Sequence, residues 1–239
     1  MDGRGFLHPP INRDRWLGVS QGVKRNEHNI SMVEEFAQRQ PLSIVIFGHS
    51  FIKHLQRDTI RRLGQYHNFG FDYSVANVVF VHQNGLKVDQ ARYELLYQVA
   101  EHRPDIVYIE LGTCDLSNKH NTARSIGEKM VELGNHLTGL GVSKVLFGEI
   151  IFRRGNGIPA SSPEFNFKVD DLNRFLQVAF DETYSKKINL WRHKGMMRAT
   201  KNIYFNDGIH LNQLGNLRLY RSIRAALIKA IWYIIGKGN

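Results

Sequence analysis

The sequence predicts an α/β domain, a three-layer αβα sandwich around a five-stranded, mainly parallel sheet. Three observations lead there. Short runs rich in Val, Ile and Phe alternate with longer stretches whose apolar residues recur every three or four positions. That alternation describes strands buried on both faces between covering helices. The chain has 239 residues, 42% hydrophobic and 23% charged, so it is long enough to bury a large core and ordinary enough in composition to be globular. A single cysteine, Cys114, excludes an intrachain disulfide and leaves stability to that core.

Residues 1–40 mix Gly, Pro, Asn and charges and read as an extension, with room for a short helix over 32–37; the domain proper is 41–239. Its first strand is 42–47, between Pro41 and Gly48. A helix follows over 51–63, closed by Gly64. The pattern then predicts a strand over 71–81, a helix over 88–102, a strand over 104–111, a helix over 126–140 ending at Gly141 and a strand over 144–151. Gly155, Gly157, Pro159 and Pro163 mark 152–164 as a loop. A helix over 172–184, a short strand over 188–191 and a long helix over 214–234 complete the set. The last helix has Leu217, Tyr220, Ile223, Leu227, Ile231 and Ile234 along its expected inner face.

The net charge of +10 is unevenly spread: residues 152–239 hold fifteen basic against six acidic side chains. A basic C-terminal third suits an anionic partner, nucleic acid or anionic lipid, or simply a solvated surface. No apolar leader opens the chain, so an intracellular location is expected, and no apolar run is long enough to span a bilayer. The eleven histidines are dispersed without metal-ligand spacing, and no phosphate loop or dinucleotide fingerprint appears; no metal or cofactor is expected.

In parallel sheets the reactive groups gather beyond the carboxyl ends of the strands. Gly48-His49-Ser50 occupies that place after the first strand. A serine there presents its hydroxyl, and its N–H lies at a helix N-terminus, where an oxyanion is favoured; an N-cap serine is the simpler account of the position alone. Asp207-Gly-Ile-His210 precedes the last helix, and a carboxylate three residues before an imidazole can fix its tautomer. Asn84-Gly85 follows the second strand and Gly112-Thr-Cys-Asp115 the third. Arg153 follows the fourth, where it suits contact with an anionic substrate.

Together these pieces, over about residues 42–235, resemble the SGNH (GDSL-like) hydrolases: Gly-x-Ser near the start, a glycine after the second strand, Gly-x-Asn-Asp after the third, Asp-x-x-His near the end. Gly48-His-Ser-Phe51, Trp191-Arg-His-Lys-Gly195, Asp207-Gly-Ile-His-Leu-Asn212 and Leu219-Tyr-Arg-Ser-Ile-Arg224 are similar to esterase-like domains of LINE-type retrotransposon and related invertebrate proteins. The resemblance implies a flavodoxin-like sheet and a serine esterase acting on a small, short-acyl or acetyl ester. Ser50 is then the nucleophile, His210 the base and Asp207 its orienting carboxylate. The oxyanion hole would comprise the N–H groups of Ser50 and Gly85 and the side chain at 114, with His49, Asp115 and Arg153 toward the substrate. Two positions depart from the pattern: His49 stands where an aspartate is common, and Cys114 replaces the oxyanion asparagine. A thiol is a far weaker donor than an amide. A weakened esterase, a non-catalytic module binding anionic surfaces, and a Cys114 nucleophile are therefore alternatives to a full esterase.

Overall fold

The computed structural model describes residues 40–63, 68–154, 162–182, 186–196 and 201–236. The helix expected within 32–37, Gly64 and most of the loop after the fourth strand lie outside them. Five parallel strands form one sheet: β1 (Leu42–Gly48), β2 (Ala76–His82), β3 (Ile106–Glu110), β4 (Lys144–Gly148) and β5 (Ile188–Trp191), in the order β2-β1-β3-β4-β5. The sheet is the expected one, parallel throughout.

Alternate residues of β1 divide the core. Val45 and Phe47 face one cluster, roofed by α2 (88–101), α4 (Ala123–Gly139) and α5 (Ser162–Asp181). Ile44 and Ile46 face the other, roofed by α1 (Ser50–Leu63) and α6 (Gln213–Ile235). A short α3 (Thr113–Leu116) follows β3. Helix α2 contains a π-helical turn, Ala91–Leu95. Thr122 caps α4 by accepting from the Ser125 N–H, and Asn212 caps α6 by accepting from the Gly215 N–H.

Several boundaries differ from expectation. Helix α5 begins ten residues before 172, because Pro163 stands in its first turn, where a missing N–H costs nothing. Phe165, Val169, Leu172, Leu176 and Phe180 then share its buried face. The apolar residues before β2 are turns rather than strand. The Asn68 side chain gathers Phe71 O, Ala76 O and Val78 N, and Phe69 stacks on Tyr220 with ring centroids 4.7 Å apart. On α6, Tyr220, Ile223, Leu227 and Ile231 are buried as expected and Ile234 packs against them, while Leu219 is buried and Leu217 only partly so. Neither α3 nor the segment 201–211 was apparent from periodicity, both being too short to show one.

Candidate active site

The loops leaving β1, β2 and β3 are tied together. Gly48 pairs with both His82 and Glu110, so the three strands end level. The Gln83 N–H then donates to Gly48 O and the His49 N–H to Glu110 O. Ser50 opens α1 at this rim. Gly85 stands in the turn after the neighbouring strand β2 at φ +68°, a left-handed conformation suited to glycine. Neither the Ser50 N–H nor the Gly85 N–H has an acceptor among the described residues, which leaves two amides free for an incoming oxygen.

The second half of the site is a hairpin. Tyr204 and Leu211 pair antiparallel, the Phe205 N–H donates to His210 O, and the Asn212 amide holds the carbonyls of Asn202 and Tyr204. The Tyr204 hydroxyl donates to Phe152 O and the Arg154 N–H to Gly208 O, which fastens the hairpin to the end of β4. Within it, Asp207 Oδ1 accepts from the N–H groups of Ile209 and His210, both at 2.9 Å, and Oδ2 meets His210 Nδ1 at 2.7 Å. Desolvation pushes the Asp207 pKa up, but the bonds from the His210 ring and from the two amides outweigh it and leave it lowered. An ionised carboxylate only accepts, so Nδ1 carries the proton and Nε2 presents a lone pair.

The His210 ring lies against the first turns of α1. It stacks on His54, centroids 5.3 Å apart and 14° from parallel, and meets Phe51 edge-on at 6.4 Å. His54 stands four residues after Ser50, on the same helix face one turn along. No hydrogen bond joins Ser50 to His210 here. His54 was not singled out from sequence, because only the folded hairpin brings it to His210.

The other site candidates divide. His49 is only 1% exposed, and its Nδ1 accepts from the Phe51 N–H. Burial drives its pKa down to about 4 against the opposing charge of Glu110, so it is a neutral ring enclosed by packing. Asp115 is likewise buried, and its carboxylate accepts from the Val88 N–H that begins α2. Burial raises it to about 6. Cys114 is half-buried beside it; burial raises its thiol pKa and Asp115 adds to this, which opposes a thiolate nucleophile. Arg153 reaches back to the same corner, its Nη2 donating to Thr113 O at 3.0 Å.

Below the rim lies a polar cluster that spacing alone did not expose. The Tyr108 hydroxyl donates to Glu110 Oε2 at 2.9 Å and lies 3.1 Å from His193 Nε2, which is 3.4 Å from the same carboxylate. His193 Nδ1 and Trp191 Nε1 both meet Ser222 Oγ, tying β5 to α6. Gly148 makes this possible, since a Cβ there would fall on the Glu110 carboxylate and the Tyr108 hydroxyl. Among the described residues no group of three or more His, Cys, Asp and Glu side chains is placed to hold a metal ion, and no helix is long and apolar enough to cross a membrane.

No family model matches the sequence, and no curated protein matches it. Solved structures do match the fold. A GDSL-like lipase from Bacteroides thetaiotaomicron VPI-5482 superposes with a TM-score of 0.62 at 16% identity, over 85% of this chain and 98% of that one. A carbohydrate esterase of family 3 from Talaromyces cellulolyticus gives 0.59 at 18% identity, over 80% and 98%. An acetyl xylan esterase gives 0.56 at 16%, over 77% and 99%. The chain thus has the fold of the GDSL-like (SGNH) hydrolases.

Proposed function

We propose that this chain, with the fold of the GDSL-like hydrolases, is itself a serine hydrolase that cleaves short-acyl carboxylic esters. The observation that carries the reading is the Asp207–His210 bond, which sets an unprotonated Nε2 on a hairpin packed against the helix that Ser50 opens. Solved structures of the same fold include an acetyl xylan esterase, which favours small acyl groups here too.

Ser50 Oγ attacks the ester carbonyl carbon while His210 Nε2 takes its proton. The resulting oxyanion sits on the N–H groups of Ser50 and Gly85. Collapse breaks the bond to the alcohol oxygen, which receives the proton from Nε2 as it leaves. Water then attacks the acyl-serine, giving its proton to Nε2 and releasing the acid as Ser50 recovers its own. The ionised Asp207 holds the imidazole orientation and stabilises its protonated form throughout. No hydrogen bond joins Ser50 to His210 in the unliganded protein, and such contacts commonly tighten only with substrate bound.

Turnover of 4-nitrophenyl acetate at neutral to mildly alkaline pH tests this, together with labelling by a fluorophosphonate probe. Wild type hydrolyses the ester and takes the label, and Ser50→Ala and His210→Ala fall to background on both. Equal rates in wild type and Ser50→Ala would remove the proposal.

A further inference from the structure

Arg153 carries a buried positive charge that no carboxylate among the described residues neutralises. The residue is 9% exposed. Its backbone is clamped on both sides by Asn166 of α5, which accepts from the Arg153 N–H and donates to its carbonyl, each at 2.8 Å. Its guanidinium lies 4.1 Å from the Phe165 ring centroid, and Nη2 donates to Thr113 O at 3.0 Å and Thr113 Oγ1 at 3.2 Å. Among the described residues no carboxylate lies within ion-pair distance, and Nε, buried, has no acceptor.

A guanidinium remains charged in a protein. Buried charges are normally paired, because leaving one unpaired is costly. The two nearby titratable groups supply no anion: burial keeps Cys114 a thiol and His49 a neutral imidazole. What the position adjoins is informative. Thr113 and Cys114 follow β3 at the sheet edge that Ser50 and Gly85 share, and the side chain at 114 is the one whose amide is missing. The charge is therefore rigidly held against Thr113, which follows β3 at that edge.

The geometry points to Arg153 as a third oxyanion donor, its guanidinium taking the place of the absent amide beside the N–H groups of Ser50 and Gly85. This rests on the ester-hydrolase reading and explains how such a site operates with a cysteine at 114. Donors fixed in advance in a water-poor setting are the kind that contribute most to transition-state stabilisation. The bond is made to the tetrahedral intermediate rather than to the neutral carbonyl, so it acts on kcat more than on KM.

The test compares 4-nitrophenyl acetate kinetics of wild type, Arg153→Lys, Arg153→Met, and Arg153→Met combined with Cys114→Asn. Arg153→Met lowers kcat about 10²-fold with KM within about threefold, Arg153→Lys falls between, and Cys114→Asn recovers at least about tenfold of the loss by restoring an amide donor. A merely structural arginine would not be rescued that way. If Arg153→Met does not fold, Arg153→Lys with and without Cys114→Asn carries the same comparison. A kcat within about threefold of wild type in Arg153→Met, or no recovery on adding the amide, overturns the inference and leaves the hydrolase standing. A wild type without Ser50-dependent turnover removes the hydrolase reading, and this inference with it.

Discussion

Among the described residues, two carboxylate–imidazole pairs differ in depth. Asp207 and His210 sit on a hairpin with side chains 45% and 36% exposed; Glu110 and His193 lie beneath the strand ends at 3% and 0%. The exposed pair is held within one hairpin, where Asp207 also accepts from the N–H groups of Ile209 and His210. The buried pair is closed in by Tyr108 and Ser222, and its members serve each other. A carboxylate and an imidazole thus make an exposed pair within one hairpin at the rim and a buried cross-link between β3, β5 and α6 below it. Depth is what separates the two settings.

Breaking each pair should give opposite signatures. We expect Asp207→Asn to lower kcat by roughly 10²–10⁴-fold, because the imidazole loses its tautomer and its counter-charge. Its unfolding free energy in urea should change by less than about 1 kcal/mol, as for other exposed pairs. His193→Ala should do the reverse. It strands the Glu110 carboxylate in the core and should cost about 3–5 kcal/mol in a urea titration, while kcat per folded molecule stays within about tenfold. If the buried variant is the inactive one and the exposed variant the unstable one, depth is the wrong criterion.

Burial also acts on single groups at the rim, and there it can be read through pH. His49, at about 4 in the folded protein against 6.5 in the open chain, stays neutral while the unfolded state takes a proton; stability from this group rises as pH climbs from about 4 to 6.5. Asp115, at about 6 against 3.8, holds a proton that the unfolded state releases, so its contribution falls over about pH 4 to 6. Each is worth about 3 kcal/mol at 1.4 kcal/mol per pKa unit, and they oppose one another. Asp115→Asn should therefore unmask a rise of about 3 kcal/mol between pH 4 and 6.5, read from urea midpoints at each pH. A profile as flat as wild type would show that His49 is not shielded as described. The smallest effect belongs to Ser222→Ala. It removes the partner shared by Trp191 and His193 without stranding a charge, and should cost about 1–2 kcal/mol with kcat unchanged.

The alternation of apolar strands and amphipathic helices was enough, by itself, to determine the layered parallel sheet, since burying both faces of such strands admits few other arrangements. It also determined which strand ends would meet, and so drew attention to Ser50, the turn at Gly85, the corner at Cys114 and the Asp207–His210 pair, whose spacing of three is local. The rest depended on residues far apart in the chain. His49 and Asp115 were expected toward the substrate, and only packing shows that both are enclosed. Trp191, His193 and Ser222 stood in recognisable motifs with no assigned role until β5 met α6. Arg153 stood out as a cation after β4, but only the fold shows that no carboxylate among the described residues pairs with it. Periodicity reports which side of an element faces inward, because that follows from backbone geometry within a few residues. Depth, charge pairing and the partner of a given atom arise when elements dock, and tertiary structure alone decides them.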